Sequence, residues 1–210
     1  MSKPQGSNKA MYNTTRHKFI KQAHYSFVEN GYAATSTNDI VRDVGMARGA
    51  LYHHFKNKEA LFLAVYEEKM FDMHEQLVSV IEDSHSAGTV SSESDLTTAL
   101  HFIVELFKDP SYRRILILEP LVALPYAKRS EIVRNFFHTM FVSLFEQLPI
   151  TEKSTKGHIN ALIMGLYGFI AENSRNYENA ETPEQLNQLA QETKAALDSF
   201  IIPFFNTAPK

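Results

Sequence analysis

The segment that most constrains the fold runs from residue 36 to residue 54, with the sequence STNDIVRDVGMARGALYHH. Ser36 or Thr37 can cap a helix N-terminus, Asp39 suits the first turn of that helix, and Gly45 ends it after two turns. Residues 47 to 53 or 54 then form a second short helix. Two short helices joined across a glycine predict a helix-turn-helix.

A longer helix precedes this pair. Apolar residues recur with helical period at Phe19, Ile20, Ala23 and Phe27, and the pattern stops at Gly31, where a left-handed C-cap residue is expected. The three helices together predict a small N-terminal domain, preceded by a polar arm, over residues 1–57.

Charge is distributed unevenly along the chain. Residues 1–58 carry nine lysines and arginines against three aspartates and glutamates, whereas the rest carries twelve against twenty-one, although the net charge is only −3. A basic N-terminal segment joined to an acidic body favours a polyanion-binding module carried by a larger domain. The alternative is that the charged residues are unevenly distributed by chance, so the pattern of residues has to decide between the two interpretations.

The remainder of the chain is helical in pattern. Apolar stripes separated by prolines predict helices over residues 58–85, 94–108, 111–118, 127–148, 152–176 and 183–205. The fold class is therefore all-α with about nine helices, and the second domain covers residues 58–210. The longest charge-free apolar stretch, residues 161–171, is too short to span a bilayer, and the polar N-terminus lacks a signal-like apolar region, so we expect a cytoplasmic protein.

The sequence from Phe19 to Leu61, FIKQAHYSFVENGYAATSTNDIVRDVGMARGALYHHFKNKEAL, resembles the DNA-binding domain of the TetR family of bacterial transcriptional repressors. The resemblance covers about a quarter of the chain. It runs through Ile20, Ala23, Phe27, Gly31, Tyr32, Thr35, Ile40, Gly45, Gly49, Leu51, Tyr52, His54, Phe55, Lys58 and Leu61. It implies a repressor that binds a palindromic double-stranded DNA operator as a homodimer, with a C-terminal ligand-binding and dimerisation domain that responds to a small, largely apolar inducer.

In a helix-turn-helix, the N-terminal residues of the second helix meet base edges in the major groove. Arg48 can donate two hydrogen bonds to guanine, although a phosphate contact or a solvated charge is an equal alternative. Gly49 allows close approach of the backbone to DNA or to the first helix, and Ala50 can contact a thymine methyl group or is simply small enough not to clash. Phosphate contacts are expected from hydroxyl, imidazole and ammonium groups around this helix. The predicted DNA-binding residues are Thr37, Arg48, Gly49, Ala50, Tyr52, His53, Lys56 and Lys58.

The sequence departs from the family pattern at one capping position. Ala47 stands where many members carry Ser or Thr to cap the recognition helix, and losing such a cap typically costs about 0.5–2 kcal/mol. We therefore expect the recognition helix to be frayed until DNA orders it.

The last two helices carry the predicted dimer face. One has a stripe of small residues, which permits close helix approach, and the other an apolar stripe. The alternative is that both stripes serve only the core of the subunit. The predicted interface residues are Ala161, Gly165, Gly168, Leu189, Leu197 and Phe200.

Aromatic and aliphatic residues are dense in the middle of the second domain. Such a stripe is often plain core, but the resemblance implies a cavity for an inducer there. Glu119, His101, His138 and Asn160 are polar candidates that could orient a ligand. The predicted ligand-binding residues are Phe102, Leu106, Tyr112, Leu116, Glu119, Phe137, His138, Phe141, Asn160 and Tyr167.

Other classes of function fit the sequence less well. The chain has no cysteine, no H-E-x-x-H motif and only one Glu-x-x-His pair, so we expect no metal site, and no catalytic or cofactor-binding motif indicates an enzyme. An activator or a corepressor-dependent regulator on the same fold stays open. A helical adaptor that binds protein is a third reading, against which the basic N-terminal segment argues.

Overall fold

The computed structural model describes residues 5–88, 91–146 and 156–205. These residues are helical and contain no strand, as the all-α prediction requires. A π-helical segment, Arg114–Leu118, follows α6, and a 3₁₀ turn, Asn176–Asn179, follows α9. The α-helices are α1 Gln5–Ala34, α2 Thr37–Val44, α3 Arg48–His54, α4 Lys58–Ser86, α5 Ser92–Leu106, α6 Pro110–Arg113, α7 Pro120–Ala123, α8 Tyr126–Glu146, α9 Lys156–Arg175 and α10 Pro183–Phe205.

The predicted count of nine helices is confirmed for the described residues when α6, the π-helical segment and α7 are taken as one interrupted helix. The interruptions have local causes. Pro120 stands at the first position of α7, where its missing N–H leaves no hydrogen bond unmade. Within the described ranges, no helix is both long and apolar enough to cross a membrane.

The chain forms two compact units. The first comprises Met1–Lys69 and Arg114–Pro125, and the second comprises Met70–Arg113 and Tyr126–Lys210. The predicted boundary between residues 57 and 58 therefore lies inside the first unit, which takes in the start of α4 and a segment from the middle of the chain.

The first unit packs α1, α2 and α3 around one apolar core. Phe19, Phe27, Ile40 and Leu51 are at most 1% exposed, so each contributes roughly 1.5–3 kcal/mol by burial. The start of α4 closes this core, since the ring of Phe62 lies edge-on to Phe27 with centroids 5.3 Å apart. The apolar positions chosen from helical periodicity are thus the buried ones.

Local capping sets the bounds of α2 and α3. The Ser36 hydroxyl accepts a hydrogen bond from the Asn38 N–H at the start of α2, and Gly45 ends α2 in the left-handed conformation with φ 71°. Ala47 precedes α3 and makes no side-chain capping bond. The helix-turn-helix is therefore fixed firmly at its first helix and more weakly at its second.

The end of α1 differs from the predicted left-handed cap. Gly31 has φ 78° and ψ 163°, a region almost restricted to glycine, and helical backbone resumes as far as Ala34. The Tyr32 N–H freed by this break donates to the Glu119 carboxylate at 2.6 Å. The Arg114 guanidinium donates to the carbonyls of Val28 and Glu29. A polar latch from residues 114–119 thus replaces the expected C-cap.

The second unit is a bundle in which α8 packs on α9 and α5 packs on α10. Its core includes Leu100, Ile103, Phe141 and Leu197, all at most 2% exposed. Arg113 is buried there and donates to the carbonyls of Phe107 and Lys108, which follow α5, and to the Glu178 carboxylate at 2.6 Å. These hydrogen bonds offset the cost of burying its charge.

Candidate nucleic-acid interface

One face of α3 presents polar side chains to solvent. Arg48, Gly49, Tyr52 and His53 are exposed, and Ala50 is half-buried. The Arg48 guanidinium carbon lies 5.3 Å from the centroid of the Tyr52 ring, so the cation stacks on the aromatic face. This contact orders Arg48 at the N-terminal end of the helix, where base-reading side chains of a helix-turn-helix lie.

The N-terminus of α2 meets the same surface through Tyr52. The Thr37 and Tyr52 hydroxyl oxygens are 3.3 Å apart and share a hydrogen bond. The hydrogen bonds from Thr37 and then Arg48 lower the pKa of Tyr52 below its ordinary value. Three of the predicted DNA-binding residues are therefore brought together on one exposed surface, which we call the α2–α3 surface: Thr37, Arg48 and Tyr52.

Two predicted phosphate-binding lysines have different surroundings. The Lys58 ammonium donates to the carbonyls of Tyr32 at 2.7 Å, Thr35 at 2.9 Å and Ala33 at 3.3 Å, and burial lowers the pKa of Lys58. These three carbonyls take all three ammonium hydrogens. Lys58 thus closes the end of α1, whereas Lys56 is exposed.

Sequence reasoning missed Tyr12 as a neighbour of this interface. Its ring lies beside both His53 and His54, with the nearer centroid 4.2 Å away on His54. His54 itself is half-buried, as expected for a residue at the edge of the core. An aromatic residue one turn before Arg16, upstream of the first core position, was the available signal.

Some predicted ligand-binding residues line a small apolar cavity in the second unit. The rings of Phe137 and Phe141 stack with centroids 5.7 Å apart, and Tyr167 lies 4.7 Å from Phe137. The cavity has a volume of about 10 Å³, roughly the space of one water. Its lining consists of Leu100, Phe137, Phe141, Ile163, Leu166, Tyr167 and Ile170.

The other ligand candidates lie elsewhere. Leu116 and Glu119 belong to the first unit, where Glu119 receives the Tyr32 N–H. In the second unit, the Tyr112 hydroxyl donates to Asp72 of α4. Three more candidates are half-buried: Phe102 and Leu106 in α5, and Asn160 in α9. The side chain of the last candidate, His138, lies outside the described part of the chain.

The predicted dimer residues divide into exposed and buried ones. Ala161, Gly165 and Gly168 are exposed on α9, and a Cβ atom added at either glycine meets no described atom within 4 Å. Phe200 is 57% exposed and lies edge-on to Phe169. Leu189 is half-buried. Leu197 is 0% exposed in the core of its own unit, so it has no free surface for a partner.

The fold and the α2–α3 surface define a helix-turn-helix protein with an all-helical body. Residues 19–65 match the family model for bacterial regulatory proteins of the tetR family. The chain is 32% identical over 105 residues to the transcriptional repressor Rv1474c of Mycobacterium tuberculosis, covering 47% of this chain and 54% of that protein. It is also 46% identical over 48 residues to the regulator QacR of Staphylococcus aureus, covering 23% and 26%.

Solved structures show the same fold over most of the chain. A TetR-family regulator from Pectobacterium atrosepticum superposes with a TM-score of 0.68 at 24% identity, covering 96% of this chain and 98% of that one. FadR of Bacillus subtilis, solved with stearoyl-CoA, gives a TM-score of 0.64 at 21% identity, covering 86% and 96%. Residues 19–65 are therefore similar to the N-terminal part of tetR-family regulatory proteins, and the matched relatives include proteins named as transcriptional repressors. The chain spans about half the length of the curated relatives it matches.

Proposed function

We propose that the chain is a ligand-responsive transcriptional repressor that binds a palindromic operator as a homodimer and is released by a small, largely apolar inducer. The observation that carries this proposal is the α2–α3 surface, where an exposed arginine at the start of α3 is held over Tyr52. Relatives described as transcriptional repressors support the same direction of regulation.

Base reading falls to the N-terminal end of α3. Arg48 is exposed there and can donate two parallel hydrogen bonds to the O6 and N7 atoms of guanine. Gly49 has no side chain and Ala50 has only a methyl group, so the helix backbone can approach the groove closely.

The residues proposed to contact phosphates lie on and around α3. The Thr37 and Tyr52 hydroxyls stand together on the α2–α3 surface, and His53 and Lys56 are exposed beyond it. Lys58 belongs to this corner as well, although its ammonium already donates to carbonyls of α1, so its contribution is to hold the corner in shape. Binding through several phosphates makes the affinity steeply salt-dependent.

A dimer would pair the exposed small-residue stripe of α9 with its own copy across a two-fold axis. Gly165 and Gly168 leave room for a second helix, and the exposed ring of Phe200 adds apolar area. Two recognition helices about 34–36 Å apart then read half-sites one DNA turn apart.

The inducer site would form by opening the Phe137 cavity. A cavity of about 10 Å³ is too small for an inducer, so a ligand that enters must favour an arrangement in which this cavity is wider. The stearoyl-CoA bound to the FadR structure supports an apolar chain as the ligand. An activator or a corepressor-dependent regulator is the alternative on the same fold.

Selection of binding sites from random duplex DNA by the purified protein tests the proposal. We expect an enriched palindrome with half-sites near one helical turn apart, and an affinity for it that falls steeply with salt. Adding the protein to an operator-driven transcription reaction separates a repressor, which lowers transcript, from an activator. Failure to enrich any sequence, with or without candidate corepressors, would overturn the helix-turn-helix assignment.

Arg48→Ala and Lys56→Ala should weaken binding in different ways. Losing a bidentate guanine contact costs about 1–3 kcal/mol and relaxes the preference at one base position, while the salt slope changes little. Losing a phosphate contact weakens binding to all sequences and lowers the salt slope by about 0.9. Titrations of each variant against the selected operator and its single-base variants measure both quantities. Equal, sequence-independent losses in the two variants would refute this division of roles.

Gly165→Glu should separate the dimer without unfolding the subunit. The added side chain enters open space in the subunit, yet two carboxylates would face each other at a two-fold interface. We expect light scattering to give the mass of one 23.9 kDa chain instead of two. The control Gly165→Ala keeps the stripe small and should keep the dimer mass. A Gly165→Glu protein that still has the dimer mass would place the interface elsewhere.

A further inference from the structure

A cluster of rings joins α3 to the part of α1 that precedes the family-model match. We call residues 5–18 of α1 the N-terminal extension, since the match begins at residue 19. The Tyr12 ring lies edge-on to His53 with centroids 5.6 Å apart and tilted against His54 at 4.2 Å. The two imidazoles are 5.4 Å from each other. One tyrosine therefore contacts both imidazoles at the C-terminal end of the recognition helix.

A second contact from the same helix face strengthens this docking. Arg16 follows Tyr12 by four residues, so both side chains lie on one face of α1. Its guanidinium carbon is 5.2 Å from the centroid of the Phe55 ring, next to His54. The N-terminal extension thus packs against the end of α3 through the edge-on and tilted ring contacts of Tyr12 and the cation–π contact of Arg16, which fix its direction and its distance.

The chemistry of His54 shows an unused polar group in this cluster. Its Nδ1 atom is buried and has no hydrogen-bond partner among the described residues. Burial first, and then electrostatic repulsion from His53 and Arg16, lower the pKa of His54 below its ordinary value. The titratable and charged groups that face it are Tyr12 and Arg16 of α1 and His53 of α3. His54 is therefore neutral at neutral pH, in a place where an approaching anion would favour its protonation.

We propose that the N-terminal extension is part of the DNA-reading surface and that Tyr12 is a positioning residue, which holds His53 and His54 where a backbone phosphate of bound DNA lies. The inference rests on the proposed DNA-binding function. It assigns to a segment outside the family match a direct part in that function. Because Tyr12 is 41% exposed, its ring serves the surface more than the core of the unit.

Proton linkage follows from this placement. A phosphate beside the two imidazoles raises the pKa of His54 from its lowered value in the free protein, so the complex binds more protons than the free protein. Operator affinity should then tighten as the pH falls from about 7.5 to about 6, across the ordinary histidine pKa of about 6.5. A tyrosine that only supported the fold would not affect this pH dependence.

The experiment measures operator affinity of the full chain from about pH 7.5 to about pH 6 for four variants. Tyr12→Ala removes the ring, Tyr12→Phe keeps it, and His54→Gln removes the imidazole to which the proton linkage is assigned. Tyr25→Ala is the matched control, since Tyr25 is 61% exposed on the same helix and stands about 140° around its axis from Tyr12. All titrations use the operator selected by the unmodified protein, at a temperature well below the melting transition of each variant.

We expect Tyr12→Ala to bind about fivefold more weakly at the lower pH and to lose most of the pH dependence. Tyr12→Phe and Tyr25→Ala should stay within about twofold of the unmodified protein, and His54→Gln should flatten the pH profile. The proposal is overturned if Tyr12→Ala keeps its affinity, or if either Tyr12→Ala or His54→Gln keeps the full pH profile. Failure of the unmodified protein to bind any duplex would instead refute the proposed function.

Discussion

Gly31→Ala should destabilise the first unit by about 2–4 kcal/mol, because two costs add at one position. The backbone at φ 78° and ψ 163° is strained for any residue with a Cβ atom. That atom would also lie 3.1 Å from Glu119 Oε1, so the carboxylate must move, although it holds the Tyr32 N–H at 2.6 Å. Thermal unfolding and hydrogen exchange of the Tyr32 amide measure the two consequences.

Gly45→Ala is the matched control for this prediction. Gly45 also has a positive φ, 71°, but an added Cβ there meets no described atom within 4 Å. Its cost is the backbone strain alone, about 1–2 kcal/mol. If both variants lose the same stability, the Glu119 contact contributes nothing measurable and the latch at the end of α1 is not a stabilising feature.

Phe141→Ala should cost the second unit about 3–5 kcal/mol and open its cavity. Phe141 is 2% exposed and stacks on Phe137, so truncation removes buried apolar surface and leaves an empty space lined by apolar side chains. Such spaces stay dry and bind small apolar molecules. We therefore expect benzene to raise the melting temperature of Phe141→Ala more than that of the unmodified protein.

Phe71→Ala makes the same chemical change at a surface position. Phe71 is 62% exposed on α4, so its truncation should change stability by about 0.5 kcal/mol or less, and benzene should give no additional stabilisation. A Phe141→Ala protein as stable as Phe71→Ala would show that the cavity region is loosely packed. The inducer site would then have to be sought in another part of the second unit.

The helix-turn-helix could be read from the sequence because its determinants are local. Ser36 caps α2 through a residue two positions away, and Gly45 ends that helix through its own backbone conformation. The missing cap at Ala47 was visible for the same reason. Apolar periodicity likewise identified the buried face of α1, since Phe19, Ala23 and Phe27 recur at helical spacing.

Contacts between distant parts of the chain could not be read in this way. Glu119 stood out as a polar residue near a predicted ligand cavity, whereas its partner is a backbone N–H 87 residues earlier. Lys58 looked like a phosphate-binding lysine at a helix start, but the carbonyls at the end of α1 take its hydrogens. No local pattern encodes either pairing, because both depend on how the helices are packed.

The same limit separates core from interface in α10. Leu197 and Phe200 belong to one apolar stripe in the sequence, yet Leu197 is 0% exposed and Phe200 is 57% exposed. A period of 3.6 residues places both on neighbouring lines of a helix, and only packing against α5 decides which line is covered.

The discontinuous first unit sets a condition on how the DNA-binding part can be made. Because Arg114 and Glu119 complete the end of α1, a fragment that stops at Lys69 would leave the Tyr32 N–H and the carbonyls of Val28 and Glu29 to water. On the ribosome, the same latch can close only after residues 70–113 have been synthesised. The end of α1 therefore acquires its native hydrogen bonds only when Arg114 and Glu119 are available to pack against it.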